Sequence, residues 1–187
     1  MVNGQKVWTS LAHQARLVAG PAQAPAVIQR AFAVGAALLA AGQVGGAQHL
    51  LDLTVGYAKD RIQFGRPIGS FQAVKHRLAD MLVLVEHARS AAYHAAWALQ
   101  DGSDDPALAA SIAQAGCSDA YYRVAADTLQ LHGGIGFAWE HQAHLYHKRA
   151  VTDAALLGSA AVHRDRVAAL VLDAAKPAGA LAVASGG

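Results

Sequence analysis

The sequence predicts an all-α protein, folded as an antiparallel up-and-down four-helix bundle. Three observations carry that expectation. Long stretches repeat apolar residues at three- and four-residue steps, the period of one helix face. Prolines number only five in 187 residues and sit near the ends of those stretches. No apolar/polar alternation of the kind a half-buried strand needs follows the first ten positions. Long helices joined by short turns pack antiparallel, which makes a bundle the expected architecture. Apolar residues make up 54% of the chain and alanine is very frequent, so one domain with a real core is expected.

The elements follow in order. Residues 3–10, NGQKVWTS, read as a turn and a short extended piece, and residues 18–26, VAGPAQAPA, as a linker. From about Ala26 to Lys59 the pattern is helical and free of proline. Its segment from Ala31 to Leu53 is apolar, but glycines and Gln43, Gln48, His49 and Asp52 interrupt it. That predicts a buried helix rather than a membrane span. RIQFGRPIGS, 61–70, is expected to be a loop, because Gly65, Pro67 and Gly69 break any helix. A second helix is expected from Ser70, as N-cap, to about Gln100, with Phe71, Val74, Leu78, Met81, Val85 and Ala88 on one face. DGSDDP, 101–106, is a turn in which Asp104 or Asp105 caps a third helix reaching about Leu131. After a glycine turn, a short helix is expected from about Glu140 to Val151 and a last one from about Ser159 to Asp173. The tail PAGALAVASGG is expected to fray. The division is thus 1–22 for strand and linker, 23–175 for the bundle and 176–187 for the tail.

Several functions are disfavoured by composition. A net charge of +2 without basic runs is too mild for a nucleic-acid footprint. The one cysteine, Cys117, excludes an internal disulfide and a cysteine metal cluster, and fits a reducing cytoplasmic setting. MVNGQKVWTS lacks the basic-then-apolar order of a signal peptide. The chain has no Gly-x-Ser-x-Gly, no P-loop and no GxGxxG after a strand.

The chemistry concentrates in LHGGIGFAWEH, 131–141, where three glycines fall within four positions. Glu140, one of two glutamates with Glu86, follows them. It reads either as a first-turn glutamate that stabilises a helix start or as a general base beside a backbone that a ligand can approach. Phe137 and Trp139 would raise its pKa by desolvation. A helix stop accounts for one or two of the glycines but not for three. Upstream, Arg61 and Arg66 suit phosphate, although both could stand in surface pairs, a reading that accounts for Arg66 equally well. Gln63, Gln72 and Gln130 offer neutral donors and acceptors beside turns. His141, His144 and His147 share a helical side, where surface or interface roles are favoured over a metal site. Cys117 reads as a core residue of the third helix.

YAKDRIQFGRPIGSFQAVKHRLADM followed by QLHGGIGFAWEH closely resembles the C-terminal helical domain of flavin-dependent acyl-CoA dehydrogenases. The likeness runs from about Gly45 to Leu172, and VNGQKVWTS resembles the flavin-contacting strand of that family's middle β-domain. It implies FAD at a subunit interface. Arg61, Phe64, Gln130, Gly133 and Gly134 would reach the FAD of a neighbouring subunit. Gln63 and Gln72 join them as cofactor-binding candidates, and Trp8 and Ser10 match flavin contacts of the β-domain. Glu140 matches the catalytic base that removes the α-proton of an acyl-CoA. The backbone N–H at Glu140 and a ribityl hydroxyl would hold the thioester oxygen. Some members carry the base on the first helix, but residues 22–59 contain no glutamate. Family chains are longer, with a helical domain and most of a β-domain ahead of the bundle, so this chain is expected to be truncated. LLGSAAVHR places Ser159 where the family has a threonine or an acid. The resemblance therefore implies an FAD-dependent acyl-CoA dehydrogenase, or a subunit of one, that forms a homo-oligomer (dimer or tetramer) or joins a longer dehydrogenase chain. The isolated chain is expected to be a weak dehydrogenase or none. The alternative is a non-catalytic helical oligomerisation module derived from that family.

Overall fold

The computed structural model describes residues 23–102 and 104–173. Trp8 and Ser10, the predicted strand and linker, and the predicted tail lie outside the described residues. Three long helices, α1 (Ala24–Asp60), α2 (Gln72–Asp101) and α3 (Pro106–His132), dominate the molecule. Two shorter ones, α4 (Ala143–Ala155) and α5 (Ala160–Ala168), complete it, and α5 runs on as a π-helical turn over Ala169–Asp173.

Side-chain pairs fix the directions. Gln43 Nε2 on α1 donates to Ser118 Oγ on α3 at 3.0 Å, Thr54 meets Thr128 at 3.1 Å, and Tyr57 stacks on His132. Residue numbers rise together, so α1 and α3 run parallel. On α2 they fall as α3 rises: Cys117 Sγ donates to the Ala88 carbonyl, and Arg77 pairs with Asp127. α4 starts beside His132, through His141, and ends with Asp153 near Tyr121. Consecutive long elements are therefore antiparallel, as predicted, and the fold is an all-α bundle.

Small residues set the spacing. Ala40, Ala95 and Ala113 form a seam at one level, and Leu50, Met81, Val85 and Val124 fill the next. Each of those larger side chains contributes roughly 1.5–3 kcal/mol by leaving water. Gly46 lies directly under the Tyr121 ring, where a Cβ would come within 2.7 Å of it. α1 is long and apolar enough to cross a membrane. Its Gln43 and Thr54 are nevertheless fully buried and bonded to α3, which makes it the central core helix. Cys117 is a buried core residue as predicted, and burial pushes its thiol up to about 12.

Helix ends depart from the sequence reading in three places. Ser70 is not the N-cap of α2; it closes a 3-10 turn over Ile68–Ser70, and the cap position falls on Phe71, which makes no side-chain capping bond. RIQFGRPIGS is not a plain loop: Ile62–Gln63 (β1) and Arg66–Pro67 (β2) form a two-residue antiparallel hairpin, too short to show alternation. Glu140 does not open a helix; it sits in the turn before α4, whose cap position is Gln142. Asp105 does cap α3, accepting from the Ala107 and Leu108 amides. Ser159 caps α5.

Candidate functional site

The site is built where α1 and α3 both end. The Arg61 amide donates to Tyr57 O at 2.8 Å, and the chain turns out of α1. It comes straight back, because Ile68 N–H donates to Arg61 O at 2.8 Å. The turn residues Phe64 (φ 54) and Gly65 (φ 74) both have positive φ, as a tight two-residue hairpin requires. A phenylalanine in that region is uncommon, yet this one is 90% exposed and touches little beyond the edge of Phe71. Gly69 presses the hairpin onto α1, since a Cβ there would meet the Ala58 carbonyl at 2.8 Å.

α3 ends in the glycine turn. Gly133 adopts φ 61, ψ −141, a combination open in practice only to glycine. Gly136 is needed for packing: its Cβ would lie 3.1 Å from both Leu129 O and His132 Cβ. Gly134 differs, because a Cβ there would meet nothing within 4 Å. His132 is 4% exposed and donates from Nδ1 to Thr128 O at 2.8 Å. Its ring stacks on Tyr57 at 4.4 Å and lies against His141 at 4.7 Å. Burial holds its pKa below the ordinary value of 6.5, although the Thr128 bond opposes that shift. His141 Nδ1 in turn accepts from the Ala143 amide at the start of α4, at 3.2 Å.

The structure brings most of the predicted residues to one end of the bundle. Arg61, Gln63, Phe64 and Gln72 come from the α1–α2 side, and Gln130, Gly133, Gly134 and Glu140 from the α3–α4 side. The Tyr57–His132 stack ties the two sides together. All eight are exposed. The apolar enclosure predicted around Glu140 is not formed: Phe137 and Trp139 are themselves 72% and 78% exposed. Arg66 lies over the Phe71 ring at 4.1 Å, a cation–π contact instead of a surface ion pair. Neither Arg61 nor Arg66 has a carboxylate partner among the described residues. His144 stacks on Trp139 and His147 tilts against Tyr122, so the three histidines of α4 and its approach do not converge.

Tyr57 and His132 were missed by the sequence reading. Their signal was positional: each lies in the last turn of its helix before a break, and His132 stands four residues after Thr128, at hydrogen-bonding distance on a helix.

Such an end fits an anionic, ring-bearing cofactor. It offers an uncommitted guanidinium, an exposed aromatic side chain and two glycines with open space above them. The model for the C-terminal domain of acyl-CoA dehydrogenases matches residues 25–172. The acyl-CoA dehydrogenase IpdE2 of Mycobacterium tuberculosis is 52% identical over 124 residues, which is 66% of this chain and 37% of that protein. Butyryl-CoA dehydrogenase from Megasphaera elsdenii superposes with a TM-score of 0.77 at 29% identity, covering 80% of this chain and 39% of that one. A chain of the ChsE4–ChsE5 complex from Mycobacterium tuberculosis gives 0.71 at 35% identity, covering 79% and 39%. The chain therefore spans about two fifths of the length of these relatives. It belongs to the acyl-CoA dehydrogenase family, a family generally dependent on FAD, and corresponds to its helical C-terminal domain.

Proposed function

We propose that this chain forms the helical part of an FAD-dependent acyl-CoA dehydrogenase site, with Glu140 as the base that takes the α-proton of an acyl-CoA thioester. The observation that carries this reading is the gathering of Arg61, Phe64, Gln130, Gly133, Gly134 and Glu140 at one end of the bundle, all facing solvent. FAD, when bound, supplies the hydride acceptor for the β-carbon. The chain's own residues bind and move a proton. Arg61 holds phosphate oxygens with its guanidinium, and Phe64 offers a ring face. Gly133 and Gly134 let the cofactor run close to the backbone. Gln63, Gln72 and Gln130 supply neutral hydrogen bonds. The Glu140 carboxylate receives the α-proton, and its backbone N–H offers a donor to the thioester oxygen as charge develops there.

The rest of the site must come from another chain or segment, since the described residues put no wall around Glu140. This exposure favours a shared site, completed by a second copy or by a longer dehydrogenase chain. It also supports a second reading, in which the chain is a helical assembly module with no turnover of its own. Light scattering on the purified chain should give a mass above one chain, and a monomer would count against assembly through the bundle faces.

The test of function is the visible spectrum of the protein after FAD is added and free flavin removed by gel filtration. A retained flavin band that acyl-CoA bleaches supports the dehydrogenase; a colourless protein supports the assembly module. Where flavin is retained, Glu140→Gln should lower turnover by at least about 10²–10⁴-fold, the usual contribution of a general base, and leave the flavin band in place. Unchanged turnover removes Glu140 from that role.

A further inference from the structure

We infer that His132 is a positioning residue for the Glu140 turn, holding Gly133–His141 on the bundle as a ring-stacked clamp. This rests on the reading of Glu140 as the base.

Three contacts make the clamp, and each comes from a different element. The Nδ1–H bond to Thr128 O closes the last turn of α3 at 2.8 Å. The Tyr57 ring of α1 stacks on the imidazole at 4.4 Å. The His141 ring, one residue beyond Glu140, lies against it at 4.7 Å and accepts from the Ala143 amide through its own Nδ1. Glu140 is thus held between a glycine turn that starts at His132 and a histidine that packs back onto His132. The turn's other anchors are Gly136, which packs beneath, and Trp139, whose ring stacks on His144 of α4 and whose carbonyl accepts from His144 Nε2 at 3.0 Å; the Ile135, Phe137 and Glu140 side chains are exposed.

The chemistry also fixes the tautomer. Nδ1 faces a carbonyl and must carry the proton, so Nε2 carries a lone pair. That Nε2 is buried with no hydrogen-bond partner. A buried polar atom left unpaired is costly, and a phenylalanine would fill the same space without that cost. The imidazole is therefore explained by the bond that its Nδ1 makes rather than by packing. The titratable groups facing it are Tyr57 from α1 and His141 from the turn, and a charge on His141 disfavours one on His132. Burial acts in the same direction.

The test uses the whole chain and two variants, His132→Phe, which keeps the stack and loses the donor, and His132→Asn, which keeps a donor and loses the ring. Amide hydrogen exchange at 133–142 should speed up by about tenfold in His132→Phe, the size of one lost hydrogen bond, while amides of the α3 core keep their protection. His132→Asn should recover part of the protection. A long-range ¹H–¹⁵N spectrum of wild type should show one imidazole protonated at Nδ1, absent from both variants, that stays neutral as pH falls through 6.5. Unchanged exchange in His132→Phe, exchange that rises equally along α3, or an Nε2–H tautomer would each overturn the assignment. These readouts need no turnover. A failure of Glu140→Gln to affect catalysis, with the exchange result intact, would therefore sink the base and leave the clamp standing.

Discussion

The middle of the bundle and its α1–α3 end use the same residue types to opposite purpose. In the middle, Gly46 exists to admit the Tyr121 ring, and Leu50, Met81 and Val85 are sealed from water. Gly46 is thus explained by a neighbour in the chain. At the end, Gly134 has no neighbour to make room for, and Phe64 holds a positive φ to place a ring in solvent. The end spends conformational freedom and apolar surface on something the described residues do not contain, and such costs without an internal return mark function.

That contrast is broken most directly by truncation. Leu50→Ala removes a fully buried side chain and should cost about 2–5 kcal/mol in urea denaturation, whereas Phe64→Ala should stay within about 0.5 kcal/mol. Equal costs would mean that the hairpin belongs to the core. Next in size is Gly133→Ala. Its φ 61, ψ −141 forces an alanine into strain, so a loss of about 1–3 kcal/mol is expected, seen as a lower melting temperature. A neutral result would show that the turn relaxes freely and is not a fixed cradle.

The same contrast governs what could be read from the sequence. The three long helices were legible because Met81, Val85 and Ala88 repeat at helical spacing and prolines sit at the ends. The Asp105 cap was legible because an aspartate immediately precedes Pro106 at a helix start. Ser70 misled because the N-cap preference is local, whereas the hairpin sets where α2 starts: the Ile68 amide bonds to Arg61 O, and a 3-10 turn uses up Ser70. The hairpin itself was hidden, since two residues per strand carry no period. For the site, the candidate residues stand in two separate motifs, and their convergence was hidden, because the Tyr57–His132 stack links positions 75 apart in sequence and leaves no local pattern. The exposure of Glu140 was misjudged for a related reason: apolar neighbours in sequence, Phe137 and Trp139, point away from enclosure unless other polypeptide covers them.

A smaller effect sharpens the comparison through pH. His132 at the site end and His163, stacked on Phe32 at the far end of α1, are both buried, and burial lowers the pKa of each below 6.5. A lowered histidine pKa means that the unfolded chain binds protons first as pH falls. The stability these two groups contribute is thus full above 6.5 and is lost as pH drops toward their folded values. Melting temperatures measured on either side of 6.5 should fall on the acid side, and His163→Phe should flatten that slope. An unchanged slope in the variant would mean that His163 takes up its proton in place.

The smallest stability effect is expected at Gly134, and it discriminates best between a cradle and a helix stop. A Cβ there enters open space, and the backbone has no positive φ to strain. Gly134→Ala should therefore leave stability unchanged or raise it by about 0.4–1 kcal/mol, through the unfolded state alone. If the proposed cofactor passes along this backbone, that same methyl stands in its way, and less flavin should survive gel filtration with the variant than with wild type. Stability and flavin retention would then move in opposite directions at one residue, which packing within the chain does not produce. If retention is unchanged, the glycine pair is no more than the end of α3, and the functional reading of this end would rest on Arg61, Phe64 and Glu140 without it.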